Sequence, residues 1–178
     1  ALAGKNLKVD NIIPEHLDSL TSKLEEIGVE LEIGRDYIMV LEQHKYKPTN
    51  IKTAVYPGFP TDLQAIFTTL ACTIKGSSKI KETIYPDRFS NVPELIRMGA
   101  DIELFEPSII VNGGNKLSGA DVQASDLRAG AALVIAGAVA DGVTDLHRIY
   151  HIERGYEDFV NKLNKINIKT TKEKDDIL

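Results

Sequence analysis

The sequence predicts an α/β fold built from repeated β-α-β-α-β-β units, and three observations lead to that prediction. Amphipathic helical periods alternate with short β-rich stretches along the chain, which is typical of layered α/β domains. Two helices begin with the same acidic entrance, at Asp62 and Asp126, and each is followed by a glycine, Gly76 or Gly142. Helices of a second type precede short strands, which come in pairs after the first two of these helices. The chain therefore holds about two and a half copies of one unit.

The second type of helix has apolar residues at three- and four-residue spacing and ends at a residue that tolerates positive φ. That residue is Gly28, Gly99 or, as the usual second choice, Asn167. The predicted helices of this type cover 14–27, 91–98 and 156–166. The strands predicted after them cover 29–33, 37–41, 101–105, 109–111 and 168–171, with hairpin turns at 34–36 and 106–108.

The helices with acidic entrances are predicted over 62–74 and 126–140, each followed by a strand, over 80–84 or 144–149. All these elements fall within 1–171, which we expect to form one domain. The remaining residues, 172–178, are a charged tail that we expect to fray. The chain starts with a short apolar piece ended by Gly4 and has no initial methionine, so we expect it to be excised from something longer.

Composition narrows the classes of partner. The 178 residues are 43% hydrophobic and carry a net charge of −5 with the basic residues scattered, which argues against nucleic acid or a membrane surface as the main partner. No apolar run approaches the ~18 residues of a membrane span. The single cysteine, Cys72, excludes an internal disulfide and fits a reducing compartment, so we expect the cytoplasm. An anionic ligand would need a local basic pocket.

The entrance at Asp62 has a ready structural interpretation. Thr61 is predicted to cap the helix, with Gln64 completing a capping box. Asp62 in the first turn would then stabilise the positive end of the helix by ~0.3–1 kcal/mol. On the sequence alone, this purely stabilising role is the favoured interpretation of Asp62.

The entrance at Asp126 is less simple, because Arg128 places a cation at the positive end of its helix, against the dipole preference. A bound phosphate or carboxylate would resolve the conflict, since backbone N–H groups and a guanidinium can hold one anion together. An ion pair with Asp126 or another acid would resolve it equally well. Arg154 before a predicted helix and Arg88 in the loop before the 91–98 helix are further candidates.

If the units stack around a common axis, equivalent helix entrances meet on one face. The residues that would then share a pocket are Asp62, Arg88, Asp126, Arg128 and Arg154. Carboxylates beside several guanidiniums suit acid/base chemistry on an anionic substrate, whereas surface salt bridges are the alternative for each arginine singly.

Other chemistry-bearing residues give weaker signals. His147 and His151 are four apart but have no acidic partner in register, so we expect no metal site. Cys72 lies in an apolar helical stretch and is expected to be a core residue rather than a nucleophile. The pair Gly113 and Gly114 opens no helix and is expected to form a turn.

Four motifs resemble one family closely. They are YPGFPTDLQA (56–65), ETIYPDRFSNVPELIRMGADI (82–102), LSGADVQASDLRAGAALVIAGAVADG (117–142) and RIYHIERGYE (148–157). Together they resemble the C-terminal part of the UDP-N-acetylglucosamine 1-carboxyvinyltransferases, the UDP-GlcNAc enolpyruvyl transferases. The resemblance implies a domain of three β-α-β-α-β-β units in an inside-out, barrel-like α/β arrangement. It also implies enolpyruvyl transfer from phosphoenolpyruvate to the 3′-hydroxyl of UDP-N-acetylglucosamine, the committed step of peptidoglycan synthesis.

The resemblance also assigns roles residue by residue. Asp62 matches the carboxylate that binds the sugar 3′-hydroxyl and can take its proton. Thr61, Ile84 and Tyr85 fall where the family holds the UDP-sugar, and Arg88 is taken as a further substrate-binding residue. Asp126, Arg128 and Arg154 match residues on the enolpyruvyl and phosphate side. No cofactor or metal is implied.

The family's other domain, which bears a Lys-Asn pair and a loop with a general-acid cysteine, is absent from these residues, and Cys72 does not match that cysteine. We therefore expect the 178 residues alone to be inactive. Two alternatives stay open. One is the related transferase acting on shikimate 3-phosphate; the other is a non-catalytic module that binds a nucleotide sugar or self-associates through an exposed apolar face.

Overall fold

The computed structural model describes residues 1–2, 6–41 and 45–173 and contains the predicted alternation of helices and strands. The strands are β1 (Leu7–Asp10), β2 (Leu31–Ile33), β3 (Tyr37–Val40), β4 (Ile51–Lys52), β5 (Gly76–Lys81), β6 (Ile102–Phe105), β7 (Ser108–Gly113), β8 (Asp121–Gln123) and β9 (Asp145–His147). The helices are α1 (Asp18–Glu26), α2 (Gln64–Thr73), α3 (Val92–Arg97), α4 (Leu127–Val139), α5 (Tyr150–Glu153) and α6 (Phe159–Lys165). Three 3₁₀ turns, Pro14–Leu17, Thr61–Leu63 and Pro86–Asn91, precede α1, α2 and α3. Within the described ranges, every helix is too short or too polar to cross a bilayer.

The sheets confirm the repeated unit. The middle copy is complete, with the chain order β4-α2-β5-α3-β6-β7 and the sheet order β4-β5-β7-β6. In this sheet β4 and β5 are parallel, whereas β7 is antiparallel to both of its neighbours, β5 and β6. The first copy has the sheet order β1-β3-β2, with antiparallel pairs throughout. It therefore corresponds to the middle sheet without its first strand. The third copy has the parallel pair β8-β9, which corresponds to β4-β5.

The three helices of the second type end in the same way. At the end of α1, the N–H of Val29 donates to the carbonyl of Leu24 at 2.9 Å, and Gly28 between them has a φ of +99°. The same hydrogen bond, from an N–H to the carbonyl five residues earlier, joins Ala100 to Leu95 at the end of α3 and Ile168 to Leu163 at the end of α6. Such endings require a left-handed residue, which Gly99 and Asn167 supply at the second and third sites. The predicted stop residues are therefore confirmed.

The two helices with acidic entrances lie at the centre of the structure. Helix α2 is buried on nearly all sides and packs on the apolar helix α4, and the hydroxyl of Thr69 in α2 donates to the carbonyl of Ala132 in α4 at 3.2 Å. A Cβ on Gly130 would stand 2.7 Å from Ile152 of α5, so glycine permits this close helix approach. The central position of α2 and α4 brings their first turns to one face.

Three predicted elements differ from the structure. Strand β5 ends at Lys81, because the backbone beyond it turns to meet the carboxylate of Glu82. Residues 168–171 pair with no described strand, and the side chain of Asn164 in α6 instead bonds both the N–H and the carbonyl of Thr170. The helix predicted over 156–166 begins only at Phe159, because Asp158 adopts a left-handed conformation with φ of +50°.

The assignment of 1–171 to one domain stays a prediction. Gly4 and residues 174–178 of the predicted tail lie outside the described residues.

Candidate active site

Asp62 is held between two guanidinium groups. Its Oδ1 atom accepts a hydrogen bond from Nε of Arg128 at 2.8 Å and lies 3.6 Å from Nη2 of Arg88. The hydrogen bond from Arg128, together with the charges of Arg128 and Arg88, holds the pKa of Asp62 below its usual value, although partial burial acts in the opposite direction. The same hydrogen bond raises the pKa of Arg128. Asp62 is therefore an ionised acceptor at neutral pH, and its side chain keeps 56% of its surface exposed.

Asp126 caps helix α4 beside this group. Its Oδ1 accepts from the backbone N–H of Arg128 at 2.8 Å and of Ala129 at 3.1 Å, which makes Asp126 the N-cap residue of α4. Its Oδ2 accepts from the hydroxyl of Ser90 at 3.2 Å. Burial raises the pKa of Asp126, but these hydrogen bonds and the charge of Arg88 outweigh burial and lower it.

We call Asp62, Arg88, Asp126 and Arg128 the Asp62 cluster. Arg88 lies in the 3₁₀ turn Pro86–Asn91, with its side chain only 13% exposed and its guanidinium 4.9 Å from the centre of the Tyr85 ring. The structure thus brings together four of the five residues predicted to share a pocket. Because their contacts join the starts of α2 and α4 to the turn before α3, the prediction that helix entrances meet on one face is consistent with these contacts.

Arg154, the fifth of these residues, precedes helix α6, as the sequence predicts. It directly follows α5 and is exposed, its backbone N–H donates to the carbonyl of Ile152, and its guanidinium makes no hydrogen bond or ion pair with the residues that the structure describes. The next residue, Gly155, packs against Leu127, where a Cβ would stand 2.7 Å from the leucine side chain. Arg154 therefore follows α5 near the first turn of α4, with a guanidinium available to a ligand.

The capping box predicted at Asp62 is wrong. The Thr61 hydroxyl accepts no helix N–H but donates to Oε2 of Glu82 at 2.9 Å. Gln64 is fully buried and donates to the hydroxyl of Thr68 instead of reaching back to Thr61. The first turn is a 3₁₀ turn, Thr61–Leu63, and α2 begins after it. The hydrogen bond that Thr61 donates to Glu82 is stronger than one it would accept from a neutral backbone N–H, because the carboxylate is charged.

Glu82 is the residue that the sequence reasoning missed. It continues the inward alternation of β5, in which Ser78 and Ile80 are buried, and it is itself only 1% exposed. A carboxylate at an inward position of a strand is unusual, and this alternation is the signal that could have drawn attention to it. Ile84 and Tyr85, predicted to hold a ligand, follow Glu82 with partly exposed side chains.

The remaining candidate groups show no separate site. Within the described ranges, no three His, Cys, Asp or Glu side chains are grouped so as to hold a metal ion. Cys72 is 3% exposed, and burial raises its pKa to about 12, so it is confirmed as a core residue. A cavity of about 1230 Å³ lies between α4, β9 and α6, and none of the predicted site residues lines it.

Comparison of the fold with solved structures defines the class of protein. The enolpyruvyl transferase NikO from Streptomyces tendae has a TM-score of 0.83 at 27% identity, over 91% of this chain and 39% of that one. EPSP synthase from Acinetobacter baumannii shares the fold with a TM-score of 0.72 at 16% identity, over 93% of this chain and 42% of that one. The molecule thus has the fold of an enolpyruvyl transferase domain.

The sequence then places the chain within that class. The sequence model of EPSP synthase (3-phosphoshikimate 1-carboxyvinyltransferase) matches residues 1–163, so the chain belongs to the EPSP synthase family. Among curated relatives, UDP-N-acetylglucosamine 1-carboxyvinyltransferase 2 of Geobacillus kaustophilus is 52% identical over 98% of this chain, and that of Bacillus cereus is 50% identical over 97%. The chain spans only 41% and 40% of the lengths of these two relatives.

Proposed function

We propose that this chain is the part of a UDP-N-acetylglucosamine 1-carboxyvinyltransferase that presents Asp62 and the surrounding arginines to the substrates. The intact enzyme would transfer the enolpyruvyl group of phosphoenolpyruvate to the sugar 3′-hydroxyl and release phosphate. The observation that carries this proposal is the Asp62 carboxylate lying between the guanidiniums of Arg128 and Arg88. Identity of 52% to a relative that bears this name supports the choice of acceptor.

In this proposal Asp62 binds and activates the acceptor hydroxyl. Its lowered pKa keeps it ionised, and its Oδ2 atom has no hydrogen bond to the residues that the structure describes. An ionised carboxylate with a free oxygen can accept a hydrogen bond from a hydroxyl and then its proton. The sugar 3′-hydroxyl oxygen would bond to C2 of phosphoenolpyruvate while C3 gains a proton, and loss of phosphate from C2 and of a proton from C3 would restore the double bond.

The arginines neutralise the charges that this reaction carries. Phosphoenolpyruvate brings a phosphate and a carboxylate, and guanidiniums bind both groups through paired hydrogen bonds. Arg128 and Arg88 already converge on one carboxylate, and Arg154 keeps its guanidinium unpaired among the described residues. Asp126, fixed by two backbone N–H groups, would exchange a proton with the substrate as C3 gains and loses its hydrogen.

The remaining catalytic groups would lie in a second domain of the same enzyme. Relatives are more than twice as long as this chain, which covers 41% of the first of them. We propose that an N-terminal domain supplies a Lys-Asn pair and a loop with a general-acid cysteine, and that the enzyme acts in the cytoplasm at the committed step of peptidoglycan synthesis. The 178-residue chain alone would then have no transferase activity, because half of the catalytic groups would be missing.

The test compares acceptors in the full-length natural protein. Phosphate release from phosphoenolpyruvate is measured with UDP-N-acetylglucosamine and, separately, with shikimate 3-phosphate. Release only with the sugar nucleotide is the expected result, and release only with shikimate 3-phosphate would assign the related activity instead. Tight sugar-nucleotide binding without phosphate release would indicate a non-catalytic binding module. The 178-residue chain assayed alone should release no phosphate.

A further inference from the structure

The structure holds a buried carboxylate, Glu82, that the proposed reaction does not use. Four donors converge on it: the Thr53 hydroxyl at 2.6 Å, the Ile84 N–H at 2.7 Å and the Tyr85 N–H at 3.0 Å reach Oε1, and the Thr61 hydroxyl at 2.9 Å reaches Oε2. Burial raises the pKa of Glu82, but these hydrogen bonds outweigh burial and lower it. A buried carboxylate is costly unless it is fully hydrogen-bonded, and this one has a partner on each oxygen.

The donors to Glu82 come from two different loops. Thr53 and Thr61 flank the segment that leads into α2, whereas Ile84 and Tyr85 belong to the segment that follows β5. The two loops are joined again nearby, because the N–H of Thr83 donates to the Thr53 hydroxyl at 2.8 Å and the Thr83 hydroxyl donates to the Thr53 carbonyl at 2.5 Å. Glu82 is therefore the charged centre of a network that ties one loop to the other.

Each loop carries a member of the Asp62 cluster. Asp62 follows Thr61 directly, and the guanidinium of Arg88 stacks over the ring of Tyr85 at 4.9 Å. We infer that Glu82 is a positioning residue: it fixes the 83–85 loop and the start of α2 relative to each other, so that the sugar nucleotide meets Thr61, Asp62, Ile84 and Tyr85 in one arrangement. This inference rests on the proposed function for the identity of the ligand.

The chemistry of the four donors explains why an acidic side chain stands at this position. A carboxylate only accepts, and its two oxygens offer about four lone-pair sites. The backbone N–H groups of Ile84 and Tyr85 can only donate, so they require an acceptor oxygen at the position of Oε1. A hydroxyl can accept as well as donate, so Thr61 tolerates an amide nitrogen at the place of Oε2. Glutamine should therefore preserve most of the network, whereas alanine should abolish it.

The experiment uses the full-length natural protein and three variants. Glu82→Ala removes the network, Glu82→Gln conserves it, and Glu26→Ala serves as the matched control. Glu26 also accepts hydrogen bonds from a threonine hydroxyl, Thr49, and from Lys23, but it belongs to α1 of the first copy. Binding of UDP-N-acetylglucosamine is measured by titration calorimetry below the unfolding temperature of every variant. Amide hydrogen exchange of the 82–88 segment is measured without ligand.

Glu82→Ala should weaken binding of the sugar nucleotide by roughly 10- to 100-fold and should speed exchange at the Ile84 and Tyr85 amides, since a lost buried acceptor leaves several donors unsatisfied. Glu82→Gln should restore binding to within about threefold of the wild-type value, because most of the hydrogen bonds are kept. Glu26→Ala should lower the unfolding temperature without changing sugar-nucleotide affinity. The Michaelis constant for the sugar nucleotide should rise more than that for phosphoenolpyruvate.

The two parts of the inference fail separately. If Glu82→Ala binds UDP-N-acetylglucosamine as tightly as the wild-type protein, or weakens binding no more than Glu26→Ala does, the positioning role is overturned. If the wild-type protein does not bind this nucleotide, the proposed function fails, and the exchange data still decide the positioning role. Unchanged protection of Ile84 and Tyr85 in Glu82→Ala would then overturn it, and lost protection would support it.

Discussion

Replacement of Asp62 by asparagine separates the proposed catalytic role of this carboxylate from its role in the fold. The change keeps the shape of the side chain but removes the charge that faces Arg128 at 2.8 Å and Arg88 at 3.6 Å. Because the Asp62 side chain is 56% exposed, solvent screens these ion pairs. The loss in folding stability should therefore be small, about 0.2–1 kcal/mol.

The effect on turnover should be much larger. An amide cannot take a proton from the acceptor hydroxyl, and loss of a general base lowers the rate by roughly 10²- to 10⁴-fold. That loss corresponds to about 2.7–5.4 kcal/mol in the activation barrier, several times the expected loss in stability. The assay is phosphate release by the full-length natural protein at saturating concentrations of both substrates, alongside urea unfolding of the same preparation.

Asp141→Asn is the matched control, since Asp141 also pairs with an exposed base, Lys116 at 3.4 Å, but belongs to no part of the Asp62 cluster. This variant should keep its turnover and lose a similarly small amount of stability. The reasoning is refuted if folded Asp62→Asn retains more than about a third of the wild-type turnover, because a general base of any consequence contributes more than this.

Three further predictions follow from burial, capping and pKa. Cys72 should react with a thiol reagent such as DTNB only as the protein unfolds, because the thiol is buried and its pKa is about 12; rapid labelling of the native protein would contradict this. Leu133→Ala, at a fully buried position of α4, should lower the free energy of unfolding by about 2–5 kcal/mol in urea. Asp126→Ala should cost about 0.5–2 kcal/mol through the lost N-cap, and Asp126→Ser should recover most of it.

A fourth prediction concerns acid stability. The pKa of Glu82 is lowered in the folded protein, so its ionised form stabilises the fold above the ordinary glutamate pKa of about 4.3, and that contribution disappears as the pH falls through the folded-state pKa. The difference in unfolding free energy between the wild-type protein and Glu82→Gln should therefore shrink below about pH 4. A difference that stays constant from pH 7 to that range would contradict this account.

The sequence predicted the fold well where local chemistry decides the backbone. Gly28, Gly99 and Asn167 end three equivalent helices because each position adopts a left-handed conformation. Glycine and asparagine favour this conformation, so a single residue in the sequence indicates it. Asp126 likewise caps α4 by accepting from the N–H groups of Arg128 and Ala129, two and three residues further along the chain. These are contacts between residues close together in the chain.

Predictions were less accurate where distant segments compete for a group. Thr61 was expected to cap its own helix, but Glu82, which lies 21 residues later, accepts its hydroxyl instead. For Arg128 the sequence leaves two kinds of partner, a ligand anion or an acidic side chain. The structure shows an acidic partner, Asp62, which is 66 positions away in the chain. Residues 168–171 have the composition of a strand, yet a strand forms only where a neighbouring one can pair with it.

The contact between Asp62 and Arg128 spans two copies of the repeat, because α2 belongs to the middle copy and α4 to the third. An anion bound by both entrances would consequently act as a removable cross-link between copies that are also joined by the packing of α2 on α4 and by the Gln123 N–H, which donates to Glu94 at 3.1 Å. By mass action, such a ligand at 100 times its dissociation constant would add about 2.7 kcal/mol to the native state. A rise in the unfolding temperature on addition of such an anion would then indicate that it joins the two copies.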